Sequence, residues 1–96
     1  MATETVLIVG VYAPDLGDQE ADSSLSELQL LSRTAGARVV GRYTQRRPAP
    51  HVKNYVGKGK AEEIAHSVRG RQIATVVFDD ELTPSQQRNL EAIFSC

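Results

Sequence analysis

The chain has 96 residues, of which 41% are apolar and 24% charged, and its formal net charge is −1. These values are typical of one soluble globular domain with a single core. No apolar run approaches the roughly 20 residues of a membrane-spanning helix. Residues 1–4 carry no basic flank before the apolar residues 6–11, so no signal peptide is expected. The single cysteine, Cys96, excludes an internal disulfide and argues against a protein-only metal site, which favours a reducing, cytoplasmic location.

Four apolar segments have the pattern of strands. Residues 5–12 are almost continuously apolar and rich in β-branched side chains, as in a strand that helices cover on both faces. Residues 37–44 are less purely apolar, which places this strand nearer a sheet edge. Residues 55–56 would be a minimal third strand, and residues 73–78 a second clearly buried one.

The first helix is predicted to begin at Ser24. Residues 24–27 (Ser-Leu-Ser-Glu) have the spacing of a capping box, and Gly36 supplies a C-terminal stop. Residues 13–23 before it are acidic and contain proline and glycine, so we expect a loop there. Apolar residues recur on one side of this helix at the helical period: Leu25, Leu28 and Leu31, with Leu30 beside them.

Two further helices complete the pattern. One is expected from residue 60 to about residue 68, before Gly70, and the other begins at residues 83–86. There a second capping box coincides with a proline in the first turn. The alternation of strands and helices predicts an α/β fold, with a small open, mostly parallel sheet of about four strands and helices on both faces. The pattern leaves the strand order open.

Positive charge is concentrated between Leu28 and Ala61, a stretch without any acidic residue. Its eight basic residues are Arg33, Arg38, Arg42, Arg46, Arg47, Lys53, Lys58 and Lys60. The remainder therefore carries −9, which is the net charge of −1 less these eight positive charges. Such segregation suggests a polyanionic partner, and a basic loop without a partner is the alternative.

Two glycine–lysine steps lie where the minimal strand meets the second helix. Glycine lets a backbone approach closely, and the first turn of a helix leaves its N–H groups unpaired beside the lysine charges. An RNA phosphate or a loosely held nucleotide phosphate would suit this turn, and a purely structural turn is the alternative. The predicted nucleic-acid or phosphate-binding residues are Arg46, Arg47, Lys53, Gly57, Lys58, Gly59 and Lys60. Tyr43 and Tyr55 flank the loop and would either stack on unpaired bases or pack in the core.

The same turn does not match the phosphate loop of nucleotide hydrolases. That motif needs a glycine where this chain has Val52 or Asn54, and a hydroxyl residue where it has Gly59 or Ala61. No hydroxyl group of this turn is therefore placed to hold Mg²⁺, and GTP hydrolysis by this chain is not expected. Because no nucleophile–base or paired-carboxylate spacing occurs either, we predict no catalytic residue, no metal site and no cofactor in this chain.

Three acidic residues, Asp79, Asp80 and Glu81, follow the last strand, where open sheets usually bind ligands. Their oxygens suit Mg²⁺. Adjacent residues at a strand end, however, point in different directions, and acids are also favoured before a helix. A structural or interdomain role is therefore the preferred interpretation, with Arg88 of the last helix as a further candidate interdomain residue.

Two long segments carry a family resemblance. Residues 55–63, with the two glycine–lysine steps, and residues 78–91, from Phe-Asp-Asp-Glu to Asn-Leu-Glu, resemble the N-terminal domain of the HflX family of ribosome-associated GTPases. Residues 24–28, 34–37 and 45–47 are similar to that family in order and spacing. The resemblance covers roughly residues 5–94.

This resemblance implies a cytoplasmic factor that binds the large ribosomal subunit through ribosomal RNA and dissociates or rescues ribosomes in its GTP-bound state. We also expect this domain to regulate the parent's G domain. Residues 1–96 would be a single N-terminal domain, with the helical hairpin and the GTP-binding domain, and hence GTP and Mg²⁺, outside this chain. Because the family's usual glycine and strand after the last helix are missing, the sheet is expected to lack a strand.

Two other function classes stay open. One is a small nucleotide-binding phosphohydrolase that uses Lys58 or Lys60 with Asp79 or Asp80. The other is a domain for protein–protein contacts or dimerisation, and the oligomeric state is not indicated by the sequence.

Overall fold

The computed structural model describes residues 4–96, in which three strands alternate with three helices. The elements are β1 (Thr5–Tyr12), α1 (Asp18–Thr34), β2 (Arg38–Arg46), α2 (Lys58–Arg71), β3 (Thr75–Phe78) and α3 (Pro84–Phe94). The strand order is β2-β1-β3, and both neighbours run parallel to β1. The predicted α/β fold with a small parallel sheet is confirmed, with three strands rather than about four. Residues 1–3, on which the signal-peptide prediction partly rests, lie outside the described residues.

The central strand β1 feeds two hydrophobic cores because its side chains alternate between the faces of the sheet. Leu7 and Val9 pack with residues of α2 and α3, such as Ile64 and Phe94, on what we call the α2/α3 face. Val6, Ile8, Tyr12, Ala21 and Leu25 form the second core, on the α1 face. Helices therefore cover both faces of the sheet, as its apolar first strand predicts.

Helix α1 begins at Asp18 rather than at Ser24, so the predicted capping box and the acidic loop are wrong. The hydroxyl of Ser24 donates a hydrogen bond of 2.6 Å to the carboxylate of Asp79 instead of capping a helix. The acidic residues Asp18 and Glu20 lie in the first turn, where negative charge is favoured. Ser24 has the spacing of a capping box, but its hydroxyl bonds Asp79, which is distant in the sequence.

The earlier start changes which leucines of α1 are buried. Ala21 and Leu25 are buried and Leu28 packs against their core. Leu30 and Leu31 are 65% and 60% exposed, so the prediction that Leu31 lies on the apolar face is wrong. The sheet is covered by a narrow stripe of α1, and two leucines are left at the surface.

The remaining elements differ from prediction mainly at their ends. Helix α2 starts at Lys58 and ends at Arg71, and the left-handed backbone of Gln72 caps it in place of Gly70. The capping box of α3 is confirmed, because Thr83 and Gln86 exchange side-chain-to-backbone hydrogen bonds. Strand β2 is an edge strand, as predicted. Strand β3 is half-buried rather than fully buried, because it is the other edge. None of the helices in the described residues 4–96 has the length and apolar character of a membrane span.

Candidate nucleic-acid interface

Residues 51–55 form a closed turn beyond the carboxyl end of β2, here called the 51–55 hairpin. The backbone N–H and carbonyl of His51 bond those of Tyr55 at 2.8 and 2.9 Å. Inside the turn, His51 Nδ1 accepts from the N–H groups of Lys53 and Asn54 at 3.2 and 3.4 Å. Because Nδ1 is an acceptor, the neutral ring carries its proton on Nε2. The hairpin is thus ordered by its own hydrogen bonds, and the minimal strand predicted at residues 55–56 is only an isolated bridge.

Helix α3 holds this hairpin from outside. Gln86 Nε2 donates to the carbonyl of His51 at 2.9 Å, and Asn89 Nδ2 donates to the carbonyl of Lys53 at 3.0 Å. Gln86 is buried although it is polar, and its amide oxygen serves the helix cap at the same time. The capping pattern identified Gln86 in the sequence, but nothing there indicated that it also positions the basic loop. Gln86 and Asn89 are therefore positioning residues that sequence reasoning missed.

Tyr55 closes the hairpin and is a core residue. Its side chain is 2% exposed, and its ring meets that of Phe78 edge-on with 5.2 Å between centroids. Burial, followed by the nearby charge of Asp80, raises the pKa of its hydroxyl. Its φ of 67° lies in the left-handed region, which is unusual for a bulky residue and needs support from the surrounding structure. Of the two roles left open for Tyr55, packing is confirmed, and the buried ring is not available to stack on a base.

The glycine–lysine turn is the start of α2. Gly57 precedes the helix, and its N–H donates to Gln45 Oε1 at 2.8 Å. A Cβ at Gly57 would stand 3.2 Å from the guanidinium of Arg47, so glycine permits a close approach there. The first turn holds no acidic residue, although lysines are disfavoured at the positive end of a helix. The N-terminal charge of α2 is therefore not offset by a carboxylate within its first turn.

The predicted cations do not all remain free. Arg46 donates to the carbonyls of Ala13 and Leu16 and pairs with Asp18 at 2.7 Å, so it fastens the loop before α1. Lys60 pairs with Glu63 at 2.8 Å and lies 5.9 Å above the ring of Tyr43. Both cations are committed to contacts within the fold.

Three cations are left to form the candidate interface. The guanidinium of Arg47 donates to the nearby carbonyl of Ala49 and lies beside Gly57. Lys53 and Lys58 are exposed. Within residues 4–96, none of these three side chains forms an ion pair. The structure thus brings Arg47, Lys53 and Lys58 to one end of the sheet, next to the exposed Gly59.

A groove opens between the 51–55 hairpin, the start of α2 and the end of α3, and we call it the hairpin groove. Its volume is about 430 Å³. It is lined by His51, Lys53, Asn54, Lys58, Ala61, Glu62 and Ile93. We call its apolar lining residues, Ala61 and Ile93, the apolar floor, and the two lysines in the same lining make the groove part of the candidate interface.

Two of the three acidic residues after β3, Asp79 and Asp80, accept hydrogen bonds from within the fold. The carboxylate of Asp79 accepts hydrogen bonds from Ser24 and from the hydroxyl of Tyr12, which ties β3 to α1 and β1. Burial, followed by the hydrogen bond to Asp79, raises the pKa of the Tyr12 hydroxyl. Asp80 accepts from the N–H of Glu81 at 2.8 Å. Across residues 4–96 no group of three or more potential ligands is gathered for a metal ion.

The structure separates one of the lysine–aspartate pairs that a phosphohydrolase could use, Lys60 with Asp79. Asp79 points to the α1 face, where Tyr12 and Ser24 hold it, whereas Lys60 lies above Tyr43 on the α2/α3 face. Arg88, the other candidate interdomain residue, is exposed on α3, and its guanidinium donates to Ser85 Oγ at 3.4 Å. An interdomain role for Asp79, Asp80, Glu81 and Arg88 stays a prediction.

The family model described as GTP-binding GTPase N-terminal matches residues 22–96, which include the whole candidate interface. This chain belongs to that family. A protein named GTPase HflX from Flavobacterium psychrophilum is 43% identical over 93 residues, covering 97% of this chain and 22% of the relative. The GTPase HflX of Escherichia coli K12 is 39% identical over 95 residues, covering 99% and 22%. That of Alkalihalophilus pseudofirmus is 42% identical over 89 residues, covering 93% and 21%.

The chain thus spans about a fifth of the length of the HflX relatives it matches. The resemblance stated from sequence is confirmed at the level of the family. In this GTPase N-terminal domain the two segments that carried the resemblance meet in space, because Tyr55 packs on Phe78 and Gln86 holds the carbonyl of His51. They form one structural unit around the hairpin.

Gly59 offers a test of how the helix start is built. A Cβ at this position would meet nothing within 4 Å, and the residue lies in the first turn of α2. Because glycine in a helix is less stable than alanine, Gly59→Ala should raise the free energy of unfolding by about 0.5–1 kcal/mol in urea denaturation. Gly57→Ala is the matched control and should give no gain, since its Cβ would crowd Arg47 and Gln45. A destabilised Gly59→Ala variant would contradict this account of the turn.

Proposed function

We propose that this chain is the ribosome-docking module of an HflX-type GTPase, and that it contacts RNA of the large ribosomal subunit without chemistry of its own. The observation that carries the proposal is the cluster of Arg47, Lys53 and Lys58. Within residues 4–96 these three cations have no carboxylate partner, and they lie at a hairpin whose backbone is already fixed. A surface of this kind suits a polyanion with regularly spaced phosphates.

The fixed backbone supports this assignment on energetic grounds. Ordering a loop on binding is unfavourable, and interactions that hold the loop beforehand reduce that loss. The hydrogen bonds of His51 and the amides of Gln86 and Asn89 hold the hairpin in place before any partner arrives. The unpaired N–H groups at the start of α2 add donors and positive potential beside Lys58.

The remaining parts of the function belong to the parent protein. GTP and Mg²⁺ act in its G domain, and its GTP-bound state dissociates or rescues ribosomes in the cytoplasm. The module also regulates that G domain, for which the exposed acids Asp80 and Glu81, together with Arg88, offer a charged surface at the end of β3 and on α3. Asp79 supports this surface from within.

The test is binding of the 96-residue chain to purified large ribosomal subunits, measured by co-sedimentation at increasing potassium chloride. Three phosphate contacts predict that the logarithm of affinity falls linearly with the logarithm of salt, with a slope of about −2. Small ribosomal subunits are the control for non-specific attraction to RNA. Affinity that does not change with salt would contradict a phosphate-based contact.

A further inference from the structure

We propose that the hairpin groove receives one unpaired nucleotide of an RNA, with its base against the apolar floor and its flanking phosphates on Lys53 and Lys58. This inference rests on the proposed function and makes it more specific. It states that the module recognises single-stranded RNA rather than the outside of a duplex.

The groove has the size and the lining of a small-molecule site. Its volume of about 430 Å³ lies within the range of ligand pockets. The half-buried Ile93 supplies most of the accessible apolar floor, because Ala61 is only 1% exposed, and Lys53 and Lys58 line the same groove. A planar base covers such a floor, whereas a phosphate alone would leave it exposed to water.

The polar groups of the groove fit the edge of a base. Glu62 is a carboxylate in the same lining as the two lysines, and it accepts hydrogen bonds such as those from the amino groups of bases. Asn54 can donate and accept, and His51 presents its Nε2–H because Nδ1 is occupied. Glu62 would repel an acidic peptide or a phosphate placed beside it. A neutral base with phosphates to either side meets no such repulsion.

The tip of the hairpin adds an apolar contact next to the groove. Val52 is 84% exposed, although the residues on both sides of it are fixed by hydrogen bonds. An A-form duplex presents phosphates and hydroxyl groups and keeps its bases stacked inside, so it can use neither Val52 nor the floor. Unpaired nucleotides, whose bases are turned outward, can use both.

The test compares two forms of one RNA. A fluorescent 12-nucleotide RNA of mixed sequence, single-stranded or annealed to its complement, is titrated with the 96-residue chain and followed by anisotropy. We expect the single strand to bind at least about 10-fold more tightly than the duplex. Ile93→Gln should weaken single-strand binding about 5-fold, since an apolar contact surface becomes polar, and should leave duplex binding unchanged. Leu31→Gln, at an exposed leucine of α1, is the matched control and should change neither affinity.

A second measurement does not depend on the folding of a variant. The unaltered chain is photo-crosslinked to the same RNA carrying 4-thiouridine, and the attachment sites are mapped by mass spectrometry. Cross-links at residues 51–58 or at Ile93 are expected. Cross-links confined to other surfaces would overturn the inference.

The outcomes separate this inference from the proposed function. Equal binding of single strand and duplex, together with salt-dependent binding to the large subunit, would overturn the inference that the groove receives a nucleotide. It would leave the proposed ribosome docking intact. Equal competition by a poly-glutamate peptide would overturn it in favour of a protein partner. If neither RNA nor the large subunit bound, both proposals would fall.

Discussion

Replacing Lys53 and Lys58 together by alanine should weaken binding to the large ribosomal subunit about 25-fold near 0.1 M salt. Each phosphate contact to single-stranded RNA releases roughly 0.7 of a counterion, which is about a factor of five in affinity at that salt. Both lysines are exposed and without ion pairs within residues 4–96, so their charges are available to a partner. The salt slope should become shallower by about 1.4. Co-sedimentation across a salt series measures both quantities.

A matched double variant separates local contacts from net charge. Arg33 and Arg69 are exposed in the last turns of α1 and α2, and neither has an ion pair among residues 4–96. They lie at the amino end of the parallel sheet, away from the hairpin. Arg33→Ala with Arg69→Ala removes the same two charges and should change the affinity less than about twofold. Equal losses in the two double variants would mean that overall charge, and not the hairpin, attracts the subunit.

Replacing Tyr55 by alanine should lower the free energy of unfolding by about 3–5 kcal/mol, which is typical for a large aromatic residue removed from a core. The ring is fully enclosed and packs edge-on against Phe78, so its loss leaves a cavity beside β3. Alanine does not relieve the left-handed backbone, because it also carries a Cβ. Small domains have a total stability of roughly 5–15 kcal/mol, so this single change removes a large part of it.

Urea denaturation followed by circular dichroism measures this effect. Tyr55→Phe is the matched control and should lose less than about 1.5 kcal/mol, since the ring stays and only the hydroxyl is removed. A loss below about 1 kcal/mol for Tyr55→Ala would show that the hairpin does not depend on its buried ring.

The parts of the fold that the sequence predicted well have local causes. The apolar residues of β1 and the cap formed by Thr83 and Gln86 depend on neighbours a few positions away. Ser24 has the same spacing to Glu27 as Thr83 has to Gln86, yet its hydroxyl bonds Asp79. A capping pattern therefore predicts a helix start only where no distant acceptor competes for the side chain.

The sequence predicted which basic residues belong to the candidate site, but not which of them remain unpaired or where their side chains point. Arg46 ends β2 and Arg47 follows it, and the two adjacent side chains diverge: one contacts Asp18 and the other lies beside Gly57 at the start of α2. Lys58 and Lys60 diverge similarly on a helix, where residues two apart do not share a face. Which cations stay free depends on acids that are distant in the sequence. The left-handed backbone of Tyr55 depends on the surrounding core, and the local sequence Tyr55-Val56 does not predict it.

The side-chain amides of Gln86 and Asn89 couple the position of the 51–55 hairpin to the position of α3. Hydrogen bonds of 2.9 and 3.0 Å weaken steeply once donor and acceptor separate by another half ångström or so. A shift of α3 would therefore release the carbonyls of His51 and Lys53 and misplace the Lys53 charge. The coupling is reciprocal: an RNA that stabilises the observed position of the hairpin also stabilises the observed position of α3, and the coupling free energy is the same in both directions. A protein that binds α3 and shifts it would then lower the affinity for RNA without contacting any residue that binds a phosphate.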